Sequence, residues 1–397
     1  MNGRPVWITG VGVVSAAGSG AGELRALLES GKSGVRSRPE LGGRLAGRAP
    51  DPPASGHARR LDRSARLFLA AACEAWSEAG LDGVALDGDR CVLIEGSSLG
   101  PMADLLDAHA ACSASGPPAR GILTFMTGAG GAAFAQEREL HGSVLHLSAG
   151  SVSAACAVGE ACGKIALGEA DLGVAGGAEC PLHPDVVETF AAAGILAGAQ
   201  GGDPSCRPFD ARRDGTVLGE GAAVFILEAE DHARRRGATC GVRVAGFGLT
   251  CEAHSMVAPD PQGTGVARAV MKALGGASPA GIDWIKAHGT GTRAGDEAEC
   301  RGLATVFGDR LAAIPLTALK STLGHCLGAS GAVEMAGCVL AMRAGFVPAA
   351  LGSKELDPAL PEIRLVRSPE RGRARSALLL SESFGGRCAA LVLAMGA

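Results

Sequence analysis

A sequence repeat between the first and second halves of the chain constrains the fold more than any other feature of the sequence. The segment VWITGVG at 6–12 is matched by VRVAGFG at 242–248, and an Ala-rich segment, GAAVFIL or CAALVL, follows each of them. Strand-like and helix-like segments alternate throughout, which predicts an α/β fold. The repeat predicts a duplicated unit, with halves at 1–238 and 239–397. Chance similarity between buried strands is the alternative.

Composition narrows the class of protein. The 397 residues are enough for a large core or two fused halves, and the net charge of −4 argues against nucleic-acid binding. The 13 cysteines have neither disulfide-framework nor zinc spacing, so we expect small buried hydrophobes in a reducing compartment and no metal site. The sequence has no signal peptide pattern and no apolar run of about 18 residues, so we expect a cytoplasmic protein without a membrane span.

Four Gly-rich motifs hold the residues suited to chemistry. They are HLSAGSVSAACAVGEA at 146–161, RPFDARRDGTVLGEG at 207–221, AHGTGTRAGD at 287–296 and KSTLGHCLGASGAVE at 320–334. In order and spacing these motifs resemble the β-ketoacyl-(acyl carrier protein) synthase family of the elongating type. The resemblance runs from about Val6 to Leu393, which is nearly the whole chain.

The resemblance implies a fold and a class of substrate. The family has a thiolase-like α/β fold, in which two duplicated βαβαβαββ halves form a five-layered α-β-α-β-α core. Its members accept an acyl group onto a cysteine, decarboxylate a malonyl unit and join the two. The substrates are carried on the phosphopantetheine of an acyl carrier protein, so no separate cofactor is expected. The resemblance also implies a dimer.

By the same resemblance, particular residues receive roles. His288 and His325 match the histidine pair that donates hydrogen bonds to a thioester carbonyl while negative charge develops on it. Lys320 and Glu334 match the lysine and glutamate that orient this pair. Threonines that contact the phosphopantetheine arm are matched by Thr290 and Thr292.

The position of the family's cysteine is occupied by Ser151. The nearest cysteine, Cys156, lies five residues further on, where it is expected to pack in the core. Serine is a much weaker nucleophile than a thiol unless a base takes its proton. Serine is also a preferred N-cap residue, and this is the predicted start of a helix. The sequence leaves both interpretations of Ser151 open: a helix cap or an acyl-accepting nucleophile.

A loop near the C-terminus also departs from the family. In the run ESFGGRCAA at 382–390, two residues of the family sequence NSFGFGGTN are missing, and its asparagine and threonine are gone. In the family this loop supplies a backbone N–H to the oxyanion hole and a phenylalanine gate. Phe384 is the candidate for part of that role.

Three functions follow. In the first, Ser151 accepts an acyl group with His288 or His325 as base and passes it on, or the histidines support malonyl decarboxylation alone. In the second, the chain is a non-condensing subunit, similar to a chain-length factor, that pairs with a cysteine-bearing ketosynthase. Chain-length factors also lack the cysteine and shorten the loop, but they usually lose the histidines. The third is true condensation through Ser151. The dimer is accordingly a homodimer or a heterodimer.

Carrier proteins are acidic, so a basic docking surface is expected. The arginines at positions that resemble the family's docking surface are Arg59, Arg60, Arg63, Arg212 and Arg213. An ordinary solvated helix face is the alternative for the cluster at 59–66.

Overall fold

The computed structural model describes residues 3–53, 56–115, 122, 125–199 and 201–396. Its strands are β1 (Val6–Ser15), β2 (Gly18–Ser19), β3 (Arg36–Ser37), β4 (Leu45–Ala46), β5 (Cys91–Gly96), β6 (Val144–Leu147), β7 (Leu172–Glu179), β8 (Gly221–Ala229), β9 (Val242–Cys251), β10 (Trp284–Lys286), β11 (Pro315–Thr317), β12 (Phe346–Val347), β13 (Arg364–Leu365), β14 (Glu370–Arg371), β15 (Ser376–Ser383) and β16 (Arg387–Met395).

The helices alternate with these strands. They are α1 (Ala21–Ser30), α2 (Arg63–Glu78), α3 (Met102–Ser115), α4 (Ala129–Glu137), α5 (Ser153–Ala166), α6 (Pro184–Ala192), α7 (Glu230–Arg235), α8 (Thr264–Leu274), α9 (Arg293–Phe307), α10 (Lys320–Leu323) and α11 (Ser330–Ala344). Short 3-10 helices occupy Pro39–Leu41, Gly56–Arg60, Gly88–Arg90, Pro279–Gly281, Gly308–Ala313 and Leu327–Ala329.

The duplication predicted from the sequence is visible in the strand order. The main sheet runs β13-β11-β10-β15-β16-β9-β1-β8-β7-β5-β6. Its two halves, β6-β5-β7-β8-β1 and β11-β10-β15-β16-β9, repeat the same order and the same pattern of parallel and antiparallel neighbours. The halves join through antiparallel pairing of β1 with β9. The predicted boundary at 238/239 lies between α7 and β9.

The predicted five layers are confirmed. Helices α5 and α11 pack against each other and against strands of both halves, so they form the central layer. Helices α2 and α4 cover the outer face of the first half, and α8 and α9 cover that of the second. Each outer layer has its own apolar cluster. The strand ends that lead into α5 and α11 therefore meet in the interior.

The Gly-x-Gly repeat has a packing explanation. A Cβ on Gly12 would lie 1.9 Å from the carbonyl oxygen of Ala71 in α2. In the second half, a Cβ on Gly248, the equivalent position, would lie 2.2 Å from the carbonyl oxygen of Ala269 in α8. In both halves the strand contacts helix backbone directly, and only glycine allows that approach. The repeated Gly-x-Gly sequence therefore reflects the same strand–helix packing contact in both halves.

Candidate active site

Ser151 lies in the turn between β6 and α5, immediately after Gly150, whose φ is +66°. Its Oγ lies 3.2 Å from Nε2 of His325. Helix α5 begins at Ser153 with Val152 as its N-cap residue, and no side chain caps it. The interpretation of Ser151 as a helix cap is therefore wrong, and its hydroxyl faces the histidine pair.

His325 connects Ser151 to a second serine. Its Nδ1 lies 2.8 Å from Oγ of Ser330, the first residue of α11. Burial lowers the pKa of His325 well below 6.5, and the positive charges of Lys320 and Lys286 lower it further. A neutral imidazole whose Nδ1–H donates to Ser330 can accept a proton on Nε2. The chain Ser151–His325–Ser330 is therefore arranged for general-base catalysis.

His288 is the second member of the predicted pair, and its ring centroid lies 5.5 Å from that of His325. Lys320 Nζ lies 3.1 Å from His288 Nδ1, 2.6 Å from the His288 carbonyl oxygen and 2.7 Å from Oε1 of Glu334. These three contacts use all three N–H donors of the ammonium group. Lysine only donates, so Nδ1 of His288 accepts and its proton is on Nε2. Burial first, and then nearby positive charge, lowers the pKa of His288 well below 6.5.

Two buried carboxylates shape the backbone around His288, and neither was predicted as a site residue. Glu299 accepts hydrogen bonds from the N–H groups of His288 and Gly289. Asp296 accepts from the N–H groups of Phe209 and Gly291 at 2.7 and 3.0 Å. Burial raises the pKa of Glu299 to about 7 and that of Asp296 to about 6. Asp296, the last residue of the third motif, thus binds the backbone of the second motif at Phe209.

Sequence reasoning also missed Lys286. This residue ends β10 two positions before His288, and only 1% of it is exposed. Its ammonium group donates to Oε2 of Glu334 and, at 2.6 Å, to the carbonyl oxygen of Leu380. Glu334 therefore binds one lysine with each carboxylate oxygen. The available signal was a lysine in the otherwise apolar strand WIKA, because a lysine is almost never fully buried unless it is paired.

The shortened C-terminal loop places Ser383 rather than Phe384 against the backbone of Ser151. The N–H of Ser151 donates to Oγ of Ser383 at 3.0 Å. A Cβ on Gly150 would lie 2.0 Å from the same Oγ, so glycine is required beside it. Phe384 is 52% exposed, and the adjacent Gly385 N–H donates to the carbonyl oxygen of Met256 at 2.8 Å. Ser383 is thus a further site residue that the sequence did not reveal.

The two predicted pantetheine-contacting residues lie together. Thr290 and Thr292 are half-buried before α9, and their hydroxyl oxygens are 2.8 Å apart. This pair is on the chain segment that follows His288, so the third motif brings hydroxyls and an imidazole to one region.

Cys156 lies inside α5, and 4% of it is exposed. Burial raises the pKa of its thiol to about 12, so the reactive thiolate is disfavoured. The expectation that this cysteine packs in the core is confirmed.

The predicted docking arginines divide into two groups. Arg213 is 2% exposed and pairs with Asp296 and Asp357, so its assignment to a docking surface is wrong. An arginine with this many internal partners stabilises the loop. Arg63 is also occupied internally, since it binds Glu220 and its side chain is 15% exposed. The exposed members are Arg59, Arg60 and Arg212.

Possible metal ligands are sparse in the described part of the chain. Glu252, Glu382 and Cys388 each bring one ligand atom to within 4.8 Å of the others. Cys388 Sγ already lies 3.8 Å from Oε1 of Glu252 as a donor. None of these atoms belongs to the histidine site. Within the same described ranges, no helix is both long and apolar enough to cross a bilayer.

The duplicated halves and the histidine pair between them define a thiolase-fold protein with a site of the acyl-transfer type. Residues 3–233 match the family profile "Beta-ketoacyl synthase, N-terminal domain", and residues 242–354 match "Beta-ketoacyl synthase, C-terminal domain". The chain belongs to the β-ketoacyl synthase family of fatty-acid and polyketide biosynthesis.

Relatives of both pathways are similar to the chain. The 3-oxoacyl-[acyl-carrier-protein] synthase 2 of Mycobacterium tuberculosis is 33% identical over 404 residues, covering 97% of this chain and 96% of the relative. The tetracenomycin polyketide synthase ketoacyl synthase alpha subunit of Streptomyces glaucescens is 33% identical over 416 residues, covering 98% and 97%. Sequence identity at this coverage extends to both halves of the chain.

Solved structures agree with the fold. A type II polyketide synthase carrier protein in complex with its ketosynthase bound to the hexaketide superimposes with a TM-score of 0.92 and 27% identity over the full length of both chains. The ishigamide ketosynthase/chain length factor gives a TM-score of 0.90 and 30% identity, again over 100% of both. The thiolase-like fold is thereby confirmed.

Proposed function

We propose that the protein transfers acyl groups from carrier-protein thioesters through an ester on Ser151, with His325 as the base. The observation that carries this proposal is the 3.2 Å approach of Ser151 Oγ to His325 Nε2, in an imidazole that also contacts Ser330. Without such a base the hydroxyl would be a poor nucleophile.

In the first step, His325 takes the proton of the nucleophile and returns it to the leaving group. Ser151 Oγ attacks the thioester carbonyl carbon while its proton moves to Nε2 of His325. The C–S bond then breaks, the phosphopantetheine sulfur takes that proton, and an acyl ester remains on Ser151. A neutral His325 is required, and its depressed pKa provides one at neutral pH.

His288 has a different role in this proposal. Because its Nδ1 accepts from Lys320, its Nε2–H is free to donate to a carbonyl oxygen on which negative charge develops. The phosphopantetheine thiol of a second carrier, or water, then attacks the ester and gives its proton to Nε2 of His325, the ester C–O bond breaks, and Ser151 Oγ takes that proton as the acyl group leaves. Transfer is favoured over condensation, because an oxygen ester is a weaker electrophile than a thioester toward a carbanion. Malonyl decarboxylation needs only the histidines and belongs to the same proposal.

The acyl donor that we propose is an acyl carrier protein, since the relatives and the structural neighbours are named for carrier-linked synthesis. The exposed arginines Arg59, Arg60 and Arg212 are the proposed contacts for its acidic surface. The acyl group arrives on the carrier's phosphopantetheine, with Thr290 and Thr292 as its proposed contacts. No further cofactor takes part.

A second candidate function rests on Ser383. Its Oγ accepts the Ser151 N–H, which is the backbone donor of the proposed nucleophile itself. We expect the carbonyl oxygen under attack to develop charge beside this N–H. While Ser383 accepts this N–H, the N–H cannot donate to a tetrahedral intermediate, and the loss of one such donor costs about 10²–10³ in rate. This observation favours a non-condensing subunit that pairs with a cysteine-bearing ketosynthase, as in the ketosynthase/chain length factor neighbour.

The two functions predict opposite responses to variants, measured as release of free carrier thiol from an acyl-carrier protein. If Ser151 transfers acyl groups, Ser151→Ala abolishes release above background and Ser151→Cys retains it or increases it. Ser383→Ala frees the Ser151 N–H and raises the rate. Full activity of Ser151→Ala would reject the covalent route.

The non-condensing function is tested by co-expression with a cysteine-bearing ketosynthase. It predicts a stable heterodimer, no release of thiol by the chain alone, and no response to Ser383→Ala. A homodimer that turns over by itself would reject it.

A further inference from the structure

A second buried lysine, Lys286, belongs to the histidine site although no step of the proposed chemistry uses it. Lys286 and Lys320 come from β10 and α10, and their ammonium groups bind opposite oxygens of one carboxylate, Glu334 of α11. The side chains of Lys286, Lys320 and Glu334 are 1%, 0% and 2% exposed, so this Lys–Glu–Lys cluster is shielded from solvent. Two ammonium groups and one carboxylate leave one positive charge beside the imidazoles.

We propose that Lys286 is a positioning residue with two effects. Its charge keeps His288 and His325 neutral, and its hydrogen bond to Glu334 holds Lys320 against His288. The inference holds whichever of the two functions is correct, because it concerns the protonation of the imidazoles and not turnover.

Hydrogen bonds from the two lysines hold Glu334 and His288 in position. The three N–H groups of the Lys320 ammonium donate to Glu334 and to two atoms of His288. Lys286 fixes the other Glu334 oxygen and is itself anchored to the carbonyl of Leu380 in β15. Without Lys286, one oxygen of a buried carboxylate loses its partner, and the carboxylate is drawn toward Lys320.

The charge of Lys286 acts on the imidazoles in an environment that excludes water. A positive charge close to an imidazole disfavours imidazolium, and the effect is large where water is excluded. The positive charge of Lys286 contributes to the low pKa of both imidazoles, after burial and Lys320 and, for His288, also after His325. The acidic side chains on the elements packed around the histidines are Glu334, Glu299, Asp296, Glu179 and Glu382, and any negative charge on them acts in the opposite direction.

The base needs neutral imidazole, which is present above the histidine pKa and is lost as the pH falls through it. Removing the positive charge of Lys286 raises that pKa, so the protein loses the neutral form at higher pH than the wild type does.

The test is NMR titration of the histidine side chains in the full chain, with His288→Gln and His325→Gln used to assign the two signals. Lys286→Met is expected to raise the pKa of both imidazoles by about one. Lys354→Met, on an exposed lysine, is the matched control and should change neither. Lys286→Arg keeps the charge and should leave both pKa values low. If Lys286→Met does not fold, Lys286→Gln carries the same expectation.

A double variant separates charge from structural damage. Lys286→Met combined with Glu334→Gln leaves Lys320 as the one positive charge of the cluster, so the net charge returns to that of the wild type. The proposal predicts that both pKa values fall back toward the wild-type values. Unchanged titration in Lys286→Met, or a double variant whose histidines titrate as high as in the single variant, would overturn it.

Discussion

The two halves of the molecule share a strand order but divide the chemistry. In the first half, the chain leaves β6, passes Ser151 and enters α5. In the second, it leaves β11, passes Lys320 and His325 and enters α11. The matching strand ends meet, which brings Ser151 to His325 across 174 positions of sequence. A duplicated scaffold thus places two strand–helix connections face to face, and these connections carry different reactive side chains.

The interiors of the two halves differ in charge as well. Glu179 ends β7 and accepts hydrogen bonds from four groups, which belong to Ser97, Ser98, Leu99 and Gly328. In the second half, Glu382 lies near the end of β15, and its Oε1 has no hydrogen-bond partner. The first half uses its carboxylate as a structural anchor. The second half holds a carboxyl group whose pKa burial raises well above 4.5, beside the shortened loop.

The largest expected effect comes from cutting the contact between the halves. We expect His325→Ala to lower acyl transfer by about 10²–10⁴, since it removes the base. Ser330→Ala leaves the imidazole in place and should cost only about tenfold. Because Ser151 and His325 act as a unit, Ser151→Ala combined with His325→Ala should be no slower than either single variant. Additive losses in steady-state rates would show that the halves act separately.

The two edges of the sheet provide the next test. The first half ends in β6, where Leu145 is 44% exposed and Val144 39% exposed. The second ends in β13, where Arg364 pairs with Glu370. An apolar unpaired edge favours pairing with another chain, and a charged one resists it. Leu145→Asp should weaken dimerisation about a hundredfold in analytical ultracentrifugation, since it would bury an unpaired charge.

Arg364→Asp is the matched control at the opposite edge and should leave the association unchanged. Equal dissociation of both variants would mean that the edge of the first half has no special role in dimerisation.

The smallest effects concern the two strand-end carboxyl groups. Glu179→Gln replaces one acceptor oxygen by an amide that faces N–H donors, so we expect a loss of about 1–3 kcal/mol in the free energy of unfolding. Glu382→Gln should leave stability at neutral pH unchanged or raise it. Because the folded pKa of Glu382 is raised, wild-type stability falls as pH rises above 4.5, and the variant should show a flatter dependence in denaturant titrations. A steeper dependence would contradict this.

Local motifs predicted the residues that lie within them. The histidine pair, Lys320 and Glu334 are brought together as expected, because their two motifs follow β10 and β11, which are adjacent parallel strands. Contacts between motifs were not predictable in this way. Ser383 meets Ser151 across 232 positions, and the identity of that partner depends on the length of the C-terminal loop.

Errors of the sequence analysis have similar causes. Arg213 was assigned to the docking surface because its position resembles that surface in the family, yet it is buried in ion pairs with Asp296 and Asp357. Ser151 was a possible cap because the helix was predicted to begin at about Val152, one residue before the observed start of α5 at Ser153, and the cap position moves with the start. Lys286 was overlooked because its partners lie on α11 and β15.

The central claim is that Ser151 forms an ester, and intact-protein mass spectrometry tests it most directly. The protein and its Ser151→Ala variant are each incubated with an acyl-carrier protein, quenched in acid and digested to locate the adduct. The account predicts a mass gain equal to the acyl group on the peptide that contains Ser151, and none in Ser151→Ala. An unmodified wild-type protein, or an adduct that persists in Ser151→Ala, would contradict it.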